Sequence, residues 1–208
     1  MNLFATIAGW FRQQQPRRKM KQLDPIVAIC VGHSRLGDSG AVSVGQVSEW
    51  TYNKEVADKL ERELADLGIG AEIIAHYPRQ TYGSAMSWLC DYIEQRGHKL
   101  AVELHFNSAG PDAHGYEYLF ADQSGRSMKL AKCFMGAHGD HFPDARNRGA
   151  KGVQRAGRGA GFLWGTPCPA SILEPFFGSN RSEWKAYKHQ TDRLAKCYAA
   201  AISDYLTN

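Results

Sequence analysis

The chain has 208 residues, of which 43% are hydrophobic and 22% are charged. This size and composition favour a single globular domain of the ordinary soluble type, with one full-sized core. No apolar run is long enough to span a membrane. The net charge of +4 is small and unevenly placed, and it does not indicate a nucleic-acid-binding protein.

The positive charge is concentrated at the amino terminus. Residues 1–22 contain five basic and no acidic side chains, so the rest of the chain is close to neutral. Apolar residues precede the charges there, which is the reverse of a secretory signal. The apolar side chains fit one face of a helix, which predicts either a packed or frayed terminus or a short helix in contact with a membrane or wall. We therefore divide the chain into a basic amphipathic leader, residues 1–22, and a main domain, residues 23–208.

Five cysteines are present, and none belongs to a CxxC pair. An odd number without such a pair predicts thiols in the core rather than a disulfide framework, which fits synthesis in a reducing cytoplasm. The five are Cys30, Cys90, Cys133, Cys168 and Cys197.

Apolar runs alternate with helical spacings along the main domain. In chain order, the sequence predicts a strand at 25–32, a helix at 49–67, strands at 71–77, 99–109 and 114–121 with a helix at 83–96 between the first two, a helix at 125–139, a strand at 170–177 and a helix at 181–206. Residues 142–161, rich in Gly and Arg, are predicted to form a long functional loop. The alternation predicts an α/β fold with a largely parallel sheet.

Three polar residues stand at the ends of these elements. His33 directly follows the first strand, Glu49 opens the first helix, and His105 lies near the end of the third strand. Functional side chains of open α/β sheets gather beyond the carboxyl ends of strands, so these residues can meet although they are distant in sequence. Two imidazoles and a carboxylate are the ligands of a catalytic zinc with one open position. The pattern therefore predicts a zinc site.

A fourth polar residue, Glu174, lies within the apolar strand at 170–177. Burying a carboxylate there costs free energy unless it has a partner of opposite charge, so its presence favours a functional role. Zinc lowers the pKa of bound water to about 7, and a nearby carboxylate can act as the general base. Hydrolysis of an amide is the reaction that these groups suit.

Four segments, in this order, resemble the zinc-dependent N-acetylmuramoyl-L-alanine amidases of the type 3 amidase family, which includes bacterial cell-separation amidases and phage endolysins. The matching segments are GH at 32–33, Glu49 with Asn53, ELHFNSA at 103–109 and LEPFFGSN at 173–180. The resemblance covers about residues 24–206 and implies a six-stranded sheet flanked by helices. It also implies that His33, Glu49 and His105 bind zinc and that Glu174 is catalytic.

One departure from the family pattern is Glu103, which stands where the family has a Ser two residues before the second His. We expect it to be a partner of His105 rather than a ligand. We also expect Asn107 to orient either the substrate or the loop at His105, and Arg158, in the basic loop, to bind carboxylates of a peptide.

The resemblance implies hydrolysis of the amide between N-acetylmuramic acid and L-alanine in peptidoglycan, with residues 23–208 as the catalytic domain. Without a clear signal peptide, the protein is interpreted as a phage endolysin that is made in the host cytoplasm and acts on the wall in the periplasm. Two alternatives remain: another zinc peptidase or deacylase on a related fold, and a peptidoglycan-binding protein without activity.

Overall fold

The computed structural model describes residues 23–208, so the predicted leader lies outside the described residues. The helices and strands are, in chain order, β1 (Val27–Val31), α1 (Glu49–Asp66), β2 (Ala71–Ile74), α2 (Tyr82–Arg96), β3 (Leu100–Leu104), β4 (Tyr116–Ala121), α3 (Gly125–His141), β5 (Asn147–Val153), α4 (Ala160–Gly165), β6 (Ala170–Glu174), α5 (Arg181–Tyr187) and α6 (Thr191–Thr207).

The six strands form one sheet in the order β2-β1-β3-β6-β4-β5. All neighbours are parallel except β4 and β6, which are antiparallel. The central strands β1, β3 and β6 are buried along their whole length because helices cover both faces of the sheet. The predicted α/β fold with a largely parallel, six-stranded sheet flanked by helices is confirmed.

Two apolar cores lie on opposite faces of the sheet. The larger core contains side chains of α1, α3 and α6, such as Leu60, Phe134 and Tyr198. The smaller core contains side chains of α2 and α4, such as Leu89 and Phe162. Because α4 has only six residues, β5 at the edge of the sheet stays partly exposed.

The start of α1 is fixed by Ser48, whose side chain accepts a hydrogen bond from the backbone N–H of Thr51. This N-cap satisfies one of the free donors of the first helical turn, so the helix begins at Glu49 as the sequence predicts. At the other end, Gly68 adopts a φ of +75° and ends the helix. Glu49 is thereby held at the edge of the sheet where β1 and β3 end.

The predicted loop at 142–161 is wrong, because the segment contains β5 and the start of α4. The sequence of β5 lacks the apolar pattern of a buried strand, because β5 is a half-exposed edge strand that contains Gly and basic residues. The predicted strands at 99–109 and 170–177 end earlier, at Leu104 and Glu174.

The predicted helix at 181–206 is two helices, α5 and α6, separated by residues 188–190. The separation follows from packing. Tyr187 of α5 stacks on Phe176 with ring centroids 4.8 Å apart, whereas Leu194 of α6 is buried in the larger core. We infer that one straight helix does not allow both the stacking of Tyr187 and the burial of Leu194.

All five cysteines are free thiols; Cys30, Cys90 and Cys197 are buried, whereas Cys133 and Cys168 are partly exposed. None of the helices within residues 23–208 is both long enough and apolar enough to cross a membrane.

Candidate active site

Glu49 is held at the centre of the site by both carboxylate oxygens. The backbone N–H of Phe106 donates to Oε1 and that of Ala41 to Oε2, each at 3.1 Å. The same oxygens face the imidazoles: Oε1 lies 2.8 Å from Nδ1 of His105, and Oε2 lies 3.4 Å from Nε2 of His33. Burial raises the pKa of Glu49, but the hydrogen bonds with the two histidines outweigh burial and hold this pKa well below its usual range. Glu49 is therefore ionised between two imidazoles.

His33 has an uncommon backbone conformation where β1 ends. Its φ of +61° is one that few non-glycine residues adopt, and such strain concentrates at functional sites. Oδ2 of Asp38 lies 3.0 Å from Nδ1 of His33. Because Asp38 occupies Nδ1, the other ring nitrogen, Nε2, is the one that faces Glu49.

His105 shows the opposite arrangement of its ring. Its Nδ1 faces Glu49, and its Nε2 lies 3.3 Å from Oε2 of Glu103. Glu103 is buried on the same strand face, two residues earlier. Each imidazole therefore has one nitrogen beside a supporting carboxylate and the other directed at Glu49. Glu103 contacts His105, as the sequence predicts.

The predicted ligand residues His33, Glu49 and His105 come together in the structure. Their ligand atoms all lie within 4.8 Å of one another, and they form the only such group of His, Cys, Asp or Glu in the part of the chain that the structure describes. Two nitrogens and one oxygen, with the outer nitrogens supported by carboxylates, fit a catalytic zinc. The donor set therefore agrees with the predicted metal.

Glu174 is the last residue of β6 and is almost completely buried. Its Oε1 lies 3.5 Å from Nη2 of Arg158, and its Oε2 has no hydrogen-bond partner among the described residues. Burial raises the pKa of Glu174 to about 7. A carboxylate with this pKa can both take up and release a proton near neutral pH, which is what a general base and acid needs.

Glu174 and Arg158 lie where two cavities meet on the sheet face that carries α2 and α4. The first cavity, of about 400 Å³, also contains His33 and His105, and its apolar wall includes Tyr82. The second, of about 410 Å³, lies over β4 and β5. The first cavity therefore gives a substrate access to both the His–Glu–His group and Glu174.

Asn107 lines the second cavity, but its side chain is already engaged. Its Nδ2 donates to Oε1 of Glu117 at 3.0 Å, and its Oδ1 accepts from the backbone N–H of Ser108 at 3.1 Å. One amide hydrogen remains for another partner. Arg158 is more available, since 73% of its side chain is exposed at the border of the two cavities.

Two features of the site were not predicted. One is Asp38, which contacts His33. The sequence feature that could have indicated it is a carboxylate within the Gly-rich loop between His33 and Glu49. The other is Glu117, which accepts hydrogen bonds from Arg148 and Lys151. Glu117 lies directly opposite Glu174 in the β4–β6 pair, a relationship that requires the strand register.

This sheet edge places a buried carboxylate beside a three-residue donor group, an arrangement that suits a hydrolase. The chain belongs to the N-acetylmuramoyl-L-alanine amidase family (Amidase_3), which matches residues 27–204. The predicted family is thereby confirmed, and with it a hydrolase that acts on peptidoglycan. The comparison with curated protein sequences found no match.

Several solved amidases have a similar structure. Amidase AmiC2 of Nostoc punctiforme has 21% identity and a TM-score of 0.75, over 90% of this chain and 100% of that one. The CwlD amidase from Clostridioides difficile, solved with the GerS lipoprotein, has 18% identity and a TM-score of 0.76, over 87% and 98%. The catalytic domain of the CD27L endolysin targeting Clostridia difficile has 24% identity and a TM-score of 0.73, over 86% and 96%. At these identities the similarity shows the shared fold.

Proposed function

We propose that this protein hydrolyses the amide bond between N-acetylmuramic acid and L-alanine in peptidoglycan, with zinc held by His33, Glu49 and His105. The observation that carries the proposal is the approach of their ligand atoms to within 4.8 Å of one another, beside the buried carboxylate of Glu174. Zinc held by these residues would supply Lewis acidity to polarise a carbonyl and to make water a nucleophile near neutral pH.

Side chains of the protein orient the imidazoles and transfer the proton. Asp38 and Glu103 fix the orientation of the two imidazoles, because each holds the ring nitrogen that points away from Glu49. Glu174 takes a proton from the attacking water at a carboxylate oxygen and returns it to the departing amine of L-alanine. Its pKa of about 7 suits both transfers.

Asn107 and Arg158 flank Glu174 and are the proposed substrate contacts. The guanidinium of Arg158 is largely exposed beside Glu174, where it can bind a carbonyl or carboxylate of the peptide. Asn107 keeps one amide hydrogen for a substrate oxygen while its other contacts fix it between Glu117 and Ser108.

The test is mass spectrometry of the products from purified peptidoglycan. We expect new free amino termini on L-alanine and intact glycan strands, with loss of activity on adding chelator and recovery on adding zinc. Cleavage within free peptides would indicate a peptidase instead. Binding without any product from zinc-loaded protein would indicate a non-catalytic binder.

The proposal extends to a phage endolysin that is made in a host cytoplasm and acts on the wall in the periplasm. It is supported by the similarity to the CD27L endolysin domain and by the amphipathic, basic sequence of residues 1–22. Basic residues of such a leader favour binding to anionic lipid.

Deleting residues 1–22 should leave hydrolysis of soluble muropeptides intact but weaken binding to anionic vesicles and slow lysis of permeabilised cells. Loss of both activities would mean that the leader is a structural part of the domain.

A further inference from the structure

The two cavities that meet at Glu174 differ in character. The first cavity has an apolar wall made by Tyr77, Tyr82, Met86 and Ile172. Its charged side chains include Asp38 and Glu103 as well as Arg35, which pairs with Asp38 and donates to the carbonyl of Gln80. The second cavity, which we call the β4–β5 groove, is lined instead by Asn107, Glu117, Lys151, Gln154 and Arg158 together with Glu174. Arg158 lines both cavities, so the cations that distinguish them are Arg35 in the first cavity and Lys151 in the β4–β5 groove.

Two cations share one carboxylate, that of Glu117, in the β4–β5 groove. Oε2 of Glu117 accepts hydrogen bonds from both Lys151, at 2.7 Å, and Arg148. Arg148 is also stacked on the ring of Phe177, with its guanidinium carbon 4.9 Å from the centroid, so it is committed to the protein. Lys151 is 42% exposed and uses a single ammonium hydrogen among the contacts within residues 23–208. Two further donors of Lys151 are available to an anion.

The position of Lys151 sets its distance from the reacting bond. Glu117 pairs with Glu174 across β4 and β6, whereas Lys151 pairs with Leu119, which is opposite Ile172, two residues before Glu174. Two strand spacings and two residues along the sheet place the backbone of Lys151 roughly 12 Å from that of Glu174. An extended peptide covers that distance in about four residues. A flexible lysine side chain, turned toward Glu117, shortens the separation and brings the second residue of a stem peptide within contact.

We propose that the β4–β5 groove binds the peptide half of the substrate and that Lys151 contacts the free carboxylate of the second stem residue, while the acyl half on N-acetylmuramic acid occupies the first cavity. This inference rests on the proposed amidase function. Arg35 in the first cavity is engaged by Asp38 and by the carbonyl of Gln80, so the free donors of Lys151 favour the β4–β5 groove for the anionic stem.

The experiment compares two soluble muramoyl tripeptides, L-Ala-γ-D-Glu-L-Lys and the same stem in which the α-carboxylate of the second residue is a carboxamide. We expect the wild type to prefer the free carboxylate by about three- to tenfold in kcat/KM, the effect of one partly exposed charged contact. Lys151→Gln should remove this preference, and Lys151→Arg should retain it. Lys54→Gln is the matched control, because Lys54 is paired with Asp58 on α1, away from both cavities.

Binding supplies a second measurement that does not depend on turnover. In the Glu174→Gln background, calorimetry should show the same preference for the free carboxylate, and Lys151→Gln should again remove it. Equal affinity for the two tripeptides, or equal weakening of both by Lys151→Gln, would overturn the inference. If the wild type cleaves neither tripeptide while the binding preference is present, the amidase proposal fails and the carboxylate site stands.

Discussion

Gly32 and the ring of His105 are so close that no side chain fits between them: a Cβ on Gly32 would lie 2.3 Å from Cε1 of the imidazole. We expect Gly32→Ala to displace His105 and to lower zinc content to well below one ion per chain, measured by elemental mass spectrometry on folded protein. The ring is the least movable neighbour, because Glu49 and Glu103 hold both of its nitrogens.

The control for this substitution is Gly136→Ala in α3, where an added Cβ meets nothing within 4 Å. It should retain zinc and raise the free energy of unfolding by about 0.5–1 kcal/mol, the usual gain for replacing Gly in a helix. Full zinc content in Gly32→Ala would show that the histidine can shift without leaving the site.

Glu174→Gln should keep zinc bound while turnover falls by about 10²–10⁴-fold, because glutamine has nearly the same shape but does not accept the proton. Zinc content and steady-state hydrolysis of muropeptide measure the two effects separately. Turnover near that of the wild type would assign the general base to another group.

The pH dependence of hydrolysis should report the ionisation of Glu174. Burial raises the pKa of this carboxyl to about 7, and only the ionised form accepts a proton. The value of kcat/KM should therefore rise with pH up to about 7 and fall about tenfold for each pH unit below it. The residual activity of Glu174→Gln should lack this rise. A wild-type profile that is flat between pH 5 and 7 would contradict the role of Glu174.

Glu103→Gln should lower zinc affinity by about 10–100-fold with little change in the fold, because it weakens the support of His105 at Nε2. Competition with a chromophoric chelator measures this affinity, and thermal unfolding of the zinc-free protein checks the fold. Glu103→Ser, which introduces the residue usual in the resembling family, should recover part of the affinity. If both variants bind zinc as tightly as the wild type, Glu103 does not support His105 as a zinc ligand.

His138 should make the zinc-free protein less stable in acid. It is fully buried between the hydroxyls of Tyr118, 2.6 Å from Nδ1, and Tyr187, 2.9 Å from Nε2. Burial lowers the pKa of His138 to about 3, so the folded state excludes a proton that the unfolded chain binds below about pH 6.5. Its contribution to the free energy of unfolding is complete above pH 6.5 and is lost as the pH falls toward 3, by up to about 1.4 kcal/mol per unit.

Denaturant unfolding of the wild type and His138→Gln, at pH values from 7 to 4 with chelator present, measures this contribution. The cost of the substitution should shrink as the pH falls. His189→Gln, which removes an exposed histidine, is the control and should cost little throughout. A cost for His138→Gln that stays constant with pH would mean that His138 does not control acid stability.

The sequence predicted the parts of the fold that depend on local patterns. The apolar run that contains Val27–Val31 and the helical spacing of residues 49–67 define β1 and α1 without reference to the rest of the chain. The rule that polar residues gather at the carboxyl edge of the strands brought His33, Glu49 and His105 to one place. That these three residues meet was therefore predictable before any contact was known.

What could not be predicted depends on contacts between distant segments. The end of α5 is set by the stacking of Tyr187 on Phe176, and no breaker residue marks it in residues 188–190. Likewise, the hydrogen bond from Asn107 to Glu117 joins two elements whose register is known only from the folded sheet. This contact gives Asn107 a role within the protein in addition to its proposed one.

The reversed direction of β4 affects how this scaffold can be altered. Because β4 enters the sheet where β3 and β6 leave it, the connection between these strands stays at the same edge, and its residues 108–114, which follow Asn107, are mostly exposed. Insertions there can add new walls for a substrate while leaving Glu49 and β1 in place. For engineers who wish to change which cell walls the enzyme opens, this connection is the natural position for sequence libraries.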